Sequence, residues 1–580
     1  MSRERLVIYV LAVYILLSFL YRVTGPPTQV YATDYSPLSF IPFSVLNYRN
    51  FDLAPFDEQI KPRDPNLLIQ RNGRLLAFHP IGAGVSALPL YIPYWLLTSE
   101  TKTERRWAEY LGQLAASFFC AASACLLFLI LIQEIGLTLR WSLFLTGIYG
   151  LGTCLFSILN KALWQHSPAV FWLTLVLFAL FRARDRRPNL WVTIAGFSAG
   201  MAVFCRPTNI AFLVFALAWI LFALRAWQPV VNFCFGAIPP LAVALIYNSV
   251  YWGDPFSTGG YGVTGHVLRP SLTRVVALLV SPGRGLFVFL PFSILLPIAL
   301  YYQFRKRNVD TRLTLLVGAM FLAIVTTVFV TSAWPVWWGG FSYGPRILSD
   351  FTPILVWLLF PLVKYSSRRV WKGLLIGLGV LAVAIHSVAV VAQERPYYWE
   401  QLYMPADQSD QTSLWSIGSA PPLYYFRGII ESKLPRNRLQ KPPHAECQGR
   451  IRIAGSAPRN LKADGRTTVD VEVTNLSETT WSSLRRLSET GGVYVAYHWC
   501  DTQGEVIFVD GWRSRLPHPL KPRESVVCPA LVQAPATPGD YILRLTLVVE
   551  GVQWCDTPEG TMLDVPVNVV SADKVVSPGS

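Results

Sequence analysis

A carboxylate at the edge of an apolar run is costly to keep there unless something uses it. Asp34 holds such a place, shortly beyond the apolar stretch 6–22, and Asp57 and Glu58 follow in the same long polar interval, 23–80. A hydroxyl is a weak nucleophile, and a carboxylate that accepts its proton is the plainest way to activate it. Asp34 is the favoured catalytic base, with Asp57, Glu58 and His166 as catalytic support. The ordinary alternative is that Asp34 caps a short helix starting at Tyr35 or Ser36. A divalent metal ion could sit between Asp34 and Asp57, Glu58 or His166, but no spacing demands one, and no other cofactor is called for.

Cations make a second group. His79, Lys161, His166, Arg206, Arg269, Arg274, Arg284 and Arg346 all fall at expected outer ends of apolar spans, where the positive-inside rule places few. Snorkelling to the interface accounts for any one of them. A phosphate ligand accounts for them as a set, because arginine binds phosphate through a planar fork of donors. Arg284 lies between Gly283 and Gly285, and Arg346 follows Gly344 and Pro345. They are the preferred phosphate-binding pair, with His79 beside them, since glycine lets a ligand come close to the backbone. Trp338, Tyr343, Tyr261 and Arg269 are candidate substrate contacts. There is no Walker-type loop and no nucleophile elbow.

The elements that must hold these residues are membrane helices. The chain has 580 residues, 52% hydrophobic and 15% charged, against about 25% charged in soluble proteins. Apolar runs long enough to cross a bilayer are expected at 6–22, 81–98, 109–132, 141–159, 167–183, 190–205, 208–226, 230–248, 285–303, 313–333, 348–363 and 373–391. That predicts a polytopic α-helical membrane protein of about 11–13 spans. The net charge of +15 belongs to clusters at span ends, so it points to membrane topology and to no nucleic acid. Clusters at 182–187, 305–312 and 364–372 read as cytoplasmic. The first span reads as retained, with a cytoplasmic N-terminus in the plasma (inner) membrane. Five expected spans then separate a cytoplasmic start from a cytoplasmic cluster at 182–187, and an odd number ends on the wrong side. The run 81–98, with Pro89 and Pro93, is the first suspect for a broken or re-entrant segment.

After residue 392 the pattern changes. Residues 393–445 read as a linker with an interfacial helix, 446–572 as an immunoglobulin-like β-sandwich of short alternating strands, and 573–580 as a tail. This part is expected outside the cytoplasm. Its cysteines, Cys447, Cys500, Cys528 and Cys555, permit two disulfides there.

The layout of residues 1–392 resembles the GT-C superfamily of polyprenyl-phosphate-sugar-dependent glycosyltransferases, which includes the protein O-mannosyltransferases and the aminoarabinose transferase of lipid A. The resemblance is carried by Asp34 in the first loop, by Leu76-Ala77-Phe78-His79-Pro80, by Ala162-Leu163-Trp164-Gln165-His166, by Ser281-Pro282-Gly283-Arg284-Gly285 and by Trp338-Gly339-Gly340-Phe341-Ser342-Tyr343-Gly344-Pro345-Arg346. It implies an inverting transferase with Asp34 as base and Arg284, Arg346 and His79 on the donor phosphate. The donor would be a polyprenyl-phosphate-linked sugar and the acceptor a glycan, lipid or protein. Protein mannosyltransferases carry an Asp-Glu pair at the catalytic position, and this chain has Asp34-Tyr35, so a protein acceptor is not specifically implied. Two alternatives stand beside this reading. One is a polysaccharide polymerase or ligase using a pyrophosphate-linked glycan. The other is a lipid-linked-sugar flippase or transporter without catalysis, which should show inverted repeats or mid-span charges.

Overall fold

Hydrocarbon offers the backbone no hydrogen-bond partners, so each long apolar run closes its own bonds as a helix. The structure is a computed structural model that describes residues 2–24, 35–60, 67–98, 105–185, 188–263, 269–306, 310–340, 342–391, 412–418, 420–433, 448–481, 492–508, 511–549, 553–555 and 560–571. Asp34 and Cys447 lie outside the described residues. The chain divides into two units, Met1–Gln393 and Glu394–Ser580.

Among the described residues of the first unit, nine helices are long and apolar enough to cross a membrane: Arg3–Val23, Arg105–Glu134, His166–Arg184, Pro188–Cys205, Pro207–Leu224, Trp227–Trp252, Thr311–Thr331, Arg346–Lys364 and Arg369–Val391. A tenth is the pair Leu139–Leu151 and Cys154–Lys161, bent by 45°. The bend falls at Gly152-Thr153, where the Thr153 hydroxyl donates to the Tyr149 carbonyl at 2.7 Å and accepts from the Leu155 amide at 3.3 Å. Two expected spans fall outside this set. The run at 81–98 forms a helix of 17 residues, Gly82–Thr98, with Pro89 and Pro93 inside it. The run at 285–303 is broken into Leu286–Phe289, a 3-10 turn Pro291–Leu295 and Leu296–Arg305, because Leu290 is pushed out of helical geometry (φ −120°, ψ 66°) by the proline that follows it.

Were Gly82–Thr98, one continuous helix of 17 residues, not to cross, the crossings between the N-terminus and Arg184 would be Arg3–Val23, Arg105–Glu134, the bent pair and His166–Arg184, an even number. The basic clusters also meet. Arg184 is 2.5 Å from the Asp310 carboxylate, Arg182 is 3.1 Å from Glu134, and the Lys364 ammonium donates to the Ile135 carbonyl. One end of the helical unit therefore carries residues from all three clusters.

Small residues let two helices touch backbone to backbone. On Pro188–Cys205, Gly196 lies against Phe233 and Ala237 of Trp227–Tyr247 and Gly200, four on, against Ala237 and Pro240, while Gly236 of that helix lies against Thr193 and Phe197. A Cβ on Gly196 would stand 2.0 Å from the Phe233 carbonyl oxygen, and one on Gly236 would stand 2.1 Å from that of Thr193. Such small-residue faces are how helices associate where no hydrophobic effect drives them. Gly236→Val is expected to cost about 1–3 kcal/mol through forced separation, read as a lower midpoint of thermal unfolding in detergent. An unchanged midpoint would mean that the two helices are not in backbone contact.

The polar interval after the first span is itself structured. Helix Ser36–Tyr48 is buried along its first nine residues. Strands β1 (Leu68–Arg71) and β2 (Arg74–Ala77) pair as a hairpin whose turn residues Asn72 and Gly73 both take positive φ, as a two-residue turn of this kind requires.

The second unit holds a short helix, Pro421–Lys433, and two sheets. β3 (Gly449–Ile453), β5 (Arg466–Asn475) and β9 (Ser525–Gln533) form one. The other runs β4-β12-β10-β6-β7, with β4 at Asn460–Lys462, β6 at Val493–Cys500, β7 at Val506–Phe508, β10 at Gly539–Val549 and β12 at Met562–Val570, and with β8 (Ser514–Arg515) paired to β6 and β11 (Gln553–Trp554) paired to β10. Alternate residues face one shared core: Val469, Val471 and Val473 from β5, Leu543, Leu545 and Leu547 from β10, and Val565, Val567 and Val569 from β12. The Trp499 indole crosses between the sheets to the Gln533 carbonyl at 2.8 Å. Cys555 is disulfide-bonded, whereas Cys500 and Cys528 are buried free thiols. That corrects the expectation that all four cysteines could pair. Burial raises the Cys528 thiol well above the usual range, which keeps it unreactive.

Candidate functional site

The tripeptide Trp164-Gln165-His166, at the turn into the helix His166–Asp185, is where the candidate residues converge. Each of its three side chains holds a different part. The Trp164 ring meets Tyr35 edge-on, with centroids 5.5 Å apart, and the Arg346 guanidinium stacks over it at 4.5 Å. The Gln165 amide donates to the Tyr261 hydroxyl at 3.1 Å. His166 Nδ1 is 2.6 Å from Asp350 Oδ1.

The 3-10 helix Arg346–Phe351 supplies both ends of this clasp. Its first residue covers Trp164, and Asp350, one turn on, meets His166. Asp350 is 1% exposed. Its second oxygen is 3.2 Å from the Arg206 guanidinium and accepts from the Asn209 amide at 3.1 Å. Arg206 also donates to the Ile347 carbonyl at 2.6 Å. A buried carboxylate with three donors is the arrangement that makes such a charge tolerable.

The two preferred arginines are brought onto one short stretch of backbone. Arg284, 1% exposed, donates through Nε to the Trp338 carbonyl at 3.2 Å and through Nη1 to its own neighbour Gly283 at 2.9 Å. Arg346 donates through Nη2 to the next carbonyl, Gly339, at 2.8 Å. Gly339 and Gly340 turn this stretch with φ of +76° and +68°, a region open to glycine and closed to most residues.

The residues flanking 25–34 are anchored beside the same tripeptide. Before it, Thr24 accepts through its hydroxyl from the Lys161 ammonium at 2.8 Å. After it comes Tyr35, buried against Trp164. Lys161 and Trp164 are three residues apart in the chain.

The other candidates take other places. His79 is half-buried, its ring tilted against Tyr261 at 5.4 Å and edge-on to Phe78 at 5.1 Å, so its ring contacts lead to Gln165 through Tyr261. Trp338 meets Arg284 through its carbonyl. Tyr343 is buried, and its hydroxyl donates to the Ile385 carbonyl at 2.8 Å, so it ties the loop to the last span. Arg269 is exposed. Asp57 and Glu58 open the helix Asp57–Ile60. The nearby Asp52 accepts from the Ala54 and Leu75 amides at 3.0 and 2.9 Å, fastening this loop to β2. Among the described residues no group of three His, Cys, Asp or Glu side chains could hold a metal ion.

Asp350 and Asn209 were not singled out from the sequence. Asp350 left a usable signal, an acidic residue opening an otherwise apolar span, since ionisable groups at membrane depth are functional candidates by default. His386 is buried in the span Arg369–Val391 and bonds the Ser157 hydroxyl through Nδ1 at 2.9 Å.

No family model matches the sequence, and no curated protein does. Solved structures of similar layout exist at low identity. ArnT from Cupriavidus metallidurans bound to undecaprenyl phosphate is similar over 80% of this chain and 83% of that one, at 12% identity and a TM-score of 0.41. Its apo state gives 13% identity, 79% and 82% coverage and a TM-score of 0.40. An apo oligosaccharyltransferase from Archaeoglobus fulgidus is similar over 88% of this chain and 76% of that one, at 12% identity and a TM-score of 0.37.

Proposed function

We propose that this chain is an inverting glycosyltransferase of the GT-C type, which moves a sugar from a polyprenyl-phosphate donor to a glycan, lipid or protein acceptor outside the cytoplasm. The observation that carries this reading is the convergence of Arg284 and Arg346 on the adjacent carbonyls of Trp338 and Gly339, with Arg346 stacked on the tryptophan that packs Tyr35, the residue after Asp34. Asp34 takes the proton of the acceptor hydroxyl. The hydroxyl oxygen attacks the anomeric carbon from the face opposite the phosphate, and the carbon–oxygen bond to the phosphate breaks. Arg284 and Arg346 hold the phosphate as its charge grows, the usual electrostatic contribution of fixed donors. His79 acts at the edge of this site through Tyr261.

The setting follows from the same reading. Residues 1–392 are the catalytic membrane part, in the inner membrane with a cytoplasmic N-terminus. Residues 446–572 lie outside and orient the acceptor, and the disulfide at Cys555 suits an oxidising compartment. Within 393–445, the helix Pro421–Lys433 lies on the bilayer surface through its exposed Leu423, Phe426 and Ile430.

The test is binding of undecaprenyl phosphate, the ligand of the Cupriavidus metallidurans structure, to the full-length protein. Arg284→Ala and Arg346→Ala should each weaken binding by about 10- to 100-fold, the scale of a charge-assisted hydrogen bond at about 1.5–3 kcal/mol. If both variants bind as tightly as the wild type, the phosphate site is elsewhere and this reading fails.

A further inference from the structure

The buried group around Asp350 sets the chemical state of His166. Asp350 faces three donors: Arg206 and Asn209 on Oδ2, and His166 Nδ1 on Oδ1. Two donors on one oxygen suit an ionised carboxylate, which only accepts hydrogen bonds. The 2.6 Å contact with Oδ1 therefore requires the proton to sit on Nδ1. Arg206 already offsets the charge of Asp350. A second proton on the imidazole would leave a net positive charge in a group whose members are 9% exposed or less, and such a charge is expensive away from water. The ring is thus neutral, its proton is on Nδ1, and Nε2 keeps its lone pair.

We infer that Asp350 is the positioning residue of a carboxylate–histidine pair that fixes His166 as a neutral imidazole with Nε2 as its accepting atom. The bond made by one ring nitrogen decides what the other can do. In this state His166 accepts a hydrogen bond or a proton and does not act as an acid. The same short helix aims Arg346 at Trp164, so the pair also fixes the register between Arg346 and the tripeptide. The catalytic consequence rests on the proposed transfer reaction, whereas the tautomer does not.

The experiment is nitrogen-15 magnetic resonance of histidine-labelled, full-length protein at neutral pH, with the His166 signal assigned by its loss in His166→Gln. The expected result is a neutral ring protonated at Nδ1. In Asp350→Ala the Nδ1-protonated form should lose its dominance. Sugar transfer should fall by about 10²-fold or more. Asp350→Asn should reverse the tautomer, because its one amide oxygen is taken by the donors Arg206 and Asn209 and its NH2 then donates to Nδ1; the proton should move to Nε2 and turnover should stay low. A wild-type His166 protonated at Nε2 or at both nitrogens overturns the inference, as does an unchanged tautomer in Asp350→Ala. If no transfer is found with any polyprenyl-phosphate sugar, the proposed function falls and the tautomer result still stands or fails by itself.

Discussion

Arg206→Met is expected to destabilise the helical unit by about 3–5 kcal/mol, the cost of leaving one member of a buried ion pair without its partner. Asp350 is 1% exposed, so the carboxylate stranded by this change has no water to turn to. His166 and Asn209 would remain on it, but neither brings the positive charge that Arg206 supplies. The Ile347 carbonyl would lose its 2.6 Å donor in the same step. Methionine is close enough in shape that packing loss should stay small beside the electrostatic loss. Asp350→Leu combined with Arg206→Met should recover much of the stability, since removing both charges together removes the desolvation cost as well. The measurement is the midpoint of thermal unfolding in detergent, compared across the two single variants and the double. Adding effects would show that the two residues are not coupled, and a wild-type midpoint in Arg206→Met would contradict the burial described for Asp350.

The second large effect concerns turnover. Asp34→Asn keeps the size of the side chain and removes its ability to take a proton. With a polyprenyl-phosphate sugar and a competent acceptor, transfer should fall by about 10²- to 10⁴-fold, the range usual for a positioned general base. Undecaprenyl phosphate binding should persist, because the proposed phosphate contacts belong to Arg284 and Arg346. Retained binding with lost turnover separates a base from a residue that merely supports the fold. Unchanged turnover would remove Asp34 from the mechanism and leave only its alternative role as a helix cap. The residues on either side of 25–34 give the prediction its place, with Thr24 held by Lys161 and Tyr35 by Trp164.

The sequence by itself determined the classes of structure. Long apolar runs must become helices wherever the backbone has no other partner, and the alternation in residues such as 467–473 and 540–548 must become strands with one face buried. The end of the helical unit where Arg184 meets Asp310 and Lys364 meets Ile135 was legible too, because basic residues between spans carry topology in their positions alone. Arg284 and Arg346 stand out by their glycine-rich settings, but nothing local shows that they meet the adjacent carbonyls of Trp338 and Gly339. Local pattern could not tell which runs form one uninterrupted helix: Pro291 breaks one at Leu290, while Pro89 and Pro93 sit inside the continuous helix Gly82–Thr98. Nor could it find the partner of His166, which lies 184 residues away, or reveal that Tyr343 spends its hydroxyl on Ile385. Periodicity encodes how deeply a residue is buried. Which residue it meets there depends on how helices distant in the chain pack, and that packing is what joined Asp350, Arg206 and Arg346 to the single tripeptide Trp164-Gln165-His166.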